Sequence, residues 1–140
     1  MICTFFGHKD CSEEISGKIN ETLHRLIIDE NVDEFLVGNQ GQFDIKIQKA
    51  LIKIKENYPH IRYSVVLAYL PKQKSEDMIA ENTVFPEILE HVPPKYAIDR
   101  CDTWMLVKSD FVVTFVRHIT GGAAKFREKA VKAGKTVIDL

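Results

Sequence analysis

Short runs of β-branched and aromatic residues alternate along the chain with longer stretches whose apolar residues recur at helical spacing, and glycine often stands where a run ends and a helix begins. No other feature restricts the fold as much. Parallel strands cannot be joined by tight turns and need a crossover, usually helical, so this alternation is the mark of βαβ units. Residues 2–6 read as the first strand. A helix is expected from about Ser12, with Glu13 and Glu14 in its first turn and Ile15, Ile19, Leu23, Leu26 and Ile27 along one face. Residues 34–37 form the second strand, followed by Gly38-Asn39-Gln40-Gly41 and a helix that turns Phe43, Ile47, Ala50, Leu51 and Ile54 inward until Pro59 stops it. The third strand, 63–69, is nearly all apolar and is expected to be central.

Periodicity fails over 70–94, where Pro71, Pro86, Pro93 and Pro94 punctuate a segment longer than most connections in small domains. It reads either as a lid or as a crossover without a ligand role. A helix resumes near Lys95, with Ala97, Cys101, Trp104 and Met105 inward, and leads to a fourth strand at 111–116. Gly121 and Gly122 open a last helix with Ala123, Phe126, Ala130 and Val131 inside, Gly134 ends it, and 136–138 form a fifth strand. The expected fold is therefore one α/β domain over 1–140: a doubly wound, mainly parallel five-stranded sheet, Rossmann-like, in the order 3-2-1-4-5, with helices on both faces.

A chain of 140 residues, 45% hydrophobic, is long enough for one core without staples. Its 19 basic and 20 acidic residues are interspersed and give a net charge of -1, so no basic stripe invites a nucleic acid backbone. No apolar run approaches the roughly 20 residues of a membrane span, and Met1 leads into Ile2-Cys3-Thr4-Phe5-Phe6 without the marks of a signal peptide, which makes the cytoplasm the expected compartment. Cys3, Cys11 and Cys101 are odd in number and lack a paired C-x-x-C, so neither a disulfide framework nor a zinc site is expected. His8, Cys11, Cys101 and His118 are suitable zinc ligands by type, but their spacing assigns no metal. Cys11 near a helix start could be a reactive thiol, or simply a buried one.

In a sheet of the expected order, three loops meet at the carboxyl ends of the strands. They are Gly7-His8-Lys9-Asp10, Gly38-Asn39-Gln40-Gly41 and Arg117-His118-Ile119-Thr120-Gly121-Gly122. Each contains glycine and precedes a helix, whose first N–H groups are unpaired and carry partial positive charge, so an anion is the expected occupant. The ligand-binding set read from these loops is Gly7, His8, Lys9, Gly38, Asn39, Gln40, Gly41, Asp44, Arg117, His118, Thr120, Gly121, Gly122 and Ala123. Asp44 can equally serve as a helix cap. Lys9, Arg100, Arg117 and Lys125 make the edge locally basic in this reading.

Four segments carry a resemblance to a known group: F-F-G-H-K-D at 5–10, V-G-N-Q-G-Q-F-D at 37–44, V-V-L-A-Y-L-P at 65–71 and G-G-A-A-K-F-R-E at 121–128. Over nearly its whole length the chain resembles the SLOG superfamily, the Rossmann-like group that includes the LOG phosphoribohydrolases and the DprA and Smf proteins. It is most similar to short bacterial SLOG proteins of unassigned function. LOG enzymes cleave the N-glycosidic bond of a nucleoside monophosphate and carry P-G-G-x-G-T-x-x-E, preceded one helix earlier by an arginine. Gly121, Gly122 and Glu128 match that motif, and Arg100 resembles the arginine, so the resemblance implies Arg100 and Glu128 as a catalytic pair. Their ordinary readings are a surface salt bridge for Arg100 and an i, i+4 pair with Lys132 for Glu128.

Thr120, Ala124 and Lys125 depart from that motif, and Asn39 and Gln40 stand where LOG enzymes have glycine. The backbone cradle and hydroxyl for phosphate are thereby altered. The expected function is accordingly a sensor or binding domain for a nucleotide or nucleotide-derived ligand, with no resident cofactor. Phosphoribohydrolase-like hydrolysis of a nucleoside monophosphate is the alternative, and a DNA-handling or protein-interaction domain is the third. The pairing habit of relatives implies a homodimer, although no residue pattern marks an interface.

Overall fold

The structure, a computed structural model, describes residues 1–69 and 82–140. Its strands are β1 (Ile2–Gly7), β2 (Glu34–Val37), β3 (Arg62–Val66), β4 (Thr83–Val84), β5 (Phe111–Phe115) and β6 (Thr136–Asp139). Its α-helices are α1 (Ser16–Ile28), α2 (Gln42–Asn57), α3 (Pro94–Lys108) and α4 (Gly122–Lys132), with a short 3-10 turn at Glu87–Leu89. All strand pairings are parallel, in the order β4-β3-β2-β1-β5-β6. The chain is thus a doubly wound α/β domain.

Strand alternation divides the core in two. Cys3 and Phe5 of β1, Phe35 and Val37 of β2, and Phe111, Val113 and Phe115 of β5 pack with Ile19, Leu23 and Leu26 of α1 and Phe43, Ile47 and Leu51 of α2. The intervening Phe6, Leu36 and Val112 point the other way, onto Ala97, Cys101 and Met105 of α3 and Phe126 and Ala130 of α4. A period of two feeding two helical layers is what a sheet covered on both faces requires. The buried Thr4 hydroxyl donates to the Leu36 carbonyl at 2.9 Å, and the buried Ser109 hydroxyl to that of Met105 at 2.7 Å. Among the described residues no helix is long and apolar enough to cross a membrane.

Several expectations need correction. Among the described residues the sheet has six strands, not five, because β4 pairs with β3 through Val65↔Thr83 and Val66↔Val84. Two residues cannot display an alternation, so the strand left no trace in the pattern. That addition does not make β3 central: β1 is the strand held between β2 and β5, while β3 lies next to the edge and most of its residues are partly exposed. Helix α1 starts at Ser16 rather than Ser12, so Glu13 and Glu14 precede it. From there the Glu14 carboxylate accepts the Ser16 N–H at 2.8 Å, which satisfies a donor of the first turn from outside the helix. Val131 is exposed; Ala130, one residue earlier, takes the inward position. Of the 70–94 segment, read as a lid or a crossover, residues 70–81 lie outside the described residues.

Candidate functional site

The chain leaves β1 toward α1 on one face and β5 toward α4 on the other, so the neighbouring β1 and β5 form the switch point beyond which a crevice opens. A cavity of about 320 Å³ lies there, at the low end of the usual range for small-ligand pockets. All three glycine-bearing loops contribute to it. Of the expected binding residues, Gly7, His8, Lys9, Gly38, Gln40, Asp44, His118, Gly121, Gly122 and Ala123 line it. Asn39, Gly41, Arg117 and Thr120 belong to the same loops but do not line it.

The glycines divide by what surrounds them. A Cβ on Gly7 would stand 2.1 Å from the buried Phe43 ring, one on Gly41 2.5 Å from the Lys9 Cα, and one on Gly38 2.9 Å from the Asp44 carboxylate. These three are glycine because the molecule packs against itself there. The first two loops are also stitched together: the Gln42 N–H donates to the Lys9 carbonyl at 2.8 Å, and the Cys11 N–H to the Gln42 side-chain oxygen at 2.7 Å. Gly121 and Gly122 have nothing within 4 Å of a built Cβ. Gly121 caps α4 with φ +99°, a left-handed conformation that favours glycine, and no side chain caps the helix. The Lys125 N–H bonds back to Gly121, so the amides of Gly122, Ala123 and Ala124 come before the first intrahelical bond. Gly121, Gly122 and Ala123 line the cavity, which places the free end of α4 at its wall.

His8 ties two loops together. Its Nε2 accepts the Arg117 N–H at 2.7 Å and the His118 N–H at 3.3 Å. A ring nitrogen that accepts is unprotonated, so the neutral ring carries its hydrogen on Nδ1. Burial and the nearby His118 and Arg117 charges hold the His8 pKa below its ordinary value.

The expected basic edge is not what the side chains build. Arg117 is engaged, with Nη2 2.7 Å from the Glu13 carboxylate, Nη1 2.8 Å from the Leu140 carbonyl oxygen, and the guanidinium 4.3 Å from the centre of the Phe115 ring. Lys125 pairs with Asp99. Lys9 remains as the lysine in the lining, against Asp10, Asp44 and Asp102. A cation beside a loop in sequence finds a carboxylate partner once the chain folds, and that competition removed two of the four.

Asp102, Ile98 and Met105 of α3 were absent from the expected set, although Ile98, Asp102 and Met105 follow one another at i, i+4 and i+7 and so share one helix face. A carboxylate on an inward stripe was the available signal. Asp44 lines the cavity but does not cap α2 as its structural reading had it: Gly41 is the N-cap, no side chain caps the helix, and Asp44, in the first turn, accepts the N–H of Gln40 from the preceding loop at 2.9 Å. Burial raises its pKa to about 6, against the lowering effect of that bond. Burial, then the charges of Asp44 and Asp99, raise Asp102 to about 7, opposed by Lys125.

The pair implied by the resemblance lies elsewhere. Arg100 is exposed and does not line the cavity. Glu128 lines a second, more open recess with Arg117, Asp139 and Leu140, and its carboxylate is 3.0 Å from Lys132 in an exposed i, i+4 pair. Cys11 is buried five residues before α1 begins, and burial raises its pKa, so a helix start does not activate the thiol. Burial likewise raises Cys101, to about 12. Among the described residues no group of three or more His, Cys, Asp or Glu side chains is placed to hold a metal. The sequence matches no protein-family model and no curated protein.

Proposed function

We propose that the chain is a SLOG-type domain that binds a nucleotide or nucleotide-derived ligand in the switch-point cavity, as a sensor or binding module. One observation carries this reading: the uncapped, glycine-opened start of α4 lies at the wall of a cavity that the β1 and β2 loops complete. Unpaired amides at a helix start suit a phosphate, because they offer several donors together with the positive end of the helix dipole. Lys9 adds the charge of a nearby ammonium group. The apolar surfaces of Phe5, Phe6, Ile98 and Met105 suit the flat faces of a base or sugar.

Binding is preferred to N-glycoside hydrolysis because Arg100 and Glu128 are not among the residues that line this cavity. The test is thermal unfolding with AMP, ADP-ribose, NAD and cyclic nucleotides. A ligand at a hundredfold its Kd should stabilise the native state by about 2.7 kcal/mol and raise Tm accordingly. If none of these nucleotides moves Tm at saturation, the reading fails. Released base from AMP that is lost in Glu128→Ala would instead favour hydrolysis.

A further inference from the structure

The cavity has two chemically different walls. At one, the start of α4 presents hydrogen-bond donors, and at another, α2 and α3 present the carboxylates of Asp44 and Asp102. An ionised carboxylate accepts hydrogen bonds and donates none. Among the described residues Asp102 accepts no hydrogen bond, and Asp44 uses Oδ2 for Gln40 and leaves Oδ1 unbonded. No buried side-chain oxygen among them lacks a partner, so these unbonded oxygens are not sealed in the core. Both residues line the cavity, and their acceptor capacity is open to it.

An all-phosphate ligand does not suit both walls, because its oxygens would face the carboxylates. A ligand for this cavity needs acceptors at one end and hydroxyl donors at the other, close enough together to fit about 320 Å³. A pentose phosphate has that distribution, with an anionic group on one carbon and vicinal hydroxyls a few bonds away. Resting on the nucleotide reading above, we propose that Asp44 and Asp102 recognise the vicinal hydroxyls of a ribose while α4 holds its phosphate. The elevated pKa values of both carboxyls agree with this arrangement, since neutral hydroxyls do not require either carboxyl to be ionised. A carboxyl that keeps its proton can also donate to a sugar oxygen.

The experiment is calorimetric titration of the wild-type chain with AMP, 2′,3′-dideoxy-AMP and ribose 5-phosphate, repeated with AMP on Asp102→Asn and Asp44→Asn. Asparagine preserves shape, and at position 44 it preserves an acceptor for Gln40, so folding should survive. Wild-type protein should bind AMP at least tenfold more tightly than the dideoxy analogue, because losing the hydroxyls leaves acceptors unpaired. Ribose 5-phosphate should bind detectably, and the two variants should bind AMP more weakly while discriminating less against the dideoxy analogue. Equal affinity of wild-type protein for AMP and the dideoxy analogue overturns the sugar assignment and leaves nucleotide binding intact. No binding of AMP or ribose 5-phosphate, together with no Tm shift from the other nucleotides, overturns both.

Discussion

The loops after β1 and β2 and the loop after β5 contain the same residue for opposite reasons. In the first two, Gly7, Gly38 and Gly41 are pressed against Phe43, Asp44 and Lys9, so their missing side chains allow the protein to pack on itself. In the third, Gly121 and Gly122 face open space, and their missing side chains leave the start of α4 uncovered. Glycine in a strand-to-helix junction therefore marks close approach without saying what approaches. Two loops close the cavity by packing on the protein itself, and the third leaves an uncovered helix start at its wall.

The largest effect expected from this contrast is on stability. Gly7→Ala forces a methyl group into the Phe43 ring and should destabilise by about 1–3 kcal/mol, as overpacking does, whereas Gly122→Ala should stay within about 0.5 kcal/mol of wild type. Urea denaturation of both variants decides it, and similar losses would erase the distinction between the loops.

Next in size is the response of the carboxylate wall to pH. Asp44 and Asp102 hold their protons to about 6 and about 7, above the ordinary aspartate value, so between those limits the native state binds protons that the unfolded chain has released. Their contribution is full below about pH 4 and is lost as pH rises through 6 and 7. Near pH 8, Asp102→Asn should therefore be more stable than wild type by on the order of 1 kcal/mol or more, with the difference shrinking toward pH 4. Denaturation at several pH values measures it, and an Asp102→Asn variant less stable than wild type at pH 8 would contradict the buried charge.

The smallest effect belongs outside the cavity. Glu128→Ala removes an exposed i, i+4 pair with Lys132 and should cost only a few tenths of a kcal/mol. AMP affinity should be unchanged within twofold. A tenfold loss would move the ligand from the switch-point cavity to the second recess.

Local periodicity made most of the fold legible. The inward faces of α1 and α2, read from Ile19, Leu23, Leu26, Phe43, Ile47 and Leu51, are buried, because a helical stripe must cover a sheet. The strand β4 was not legible, since two residues paired to β3 derive their structure from a neighbour distant in sequence. The meeting of three loops followed from topology. What their side chains do there did not. Arg117 is occupied by Glu13, a partner 104 residues away, and the Asp44–Asp102 juxtaposition joins helices from opposite faces of the sheet. Pairings of that kind are settled by tertiary geometry, so a sequence rich in local basic residues produced a cavity with an acidic wall.

The most direct measurement is an amide-resolved NMR titration with AMP. If α4 receives the phosphate, the amide signals of Gly122, Ala123 and Ala124 move most strongly, with Lys9 and Gln40 following. Shifts confined to Glu128, Asp139 and Leu140 at the second recess, with the start of α4 unmoved at saturation, would contradict the account.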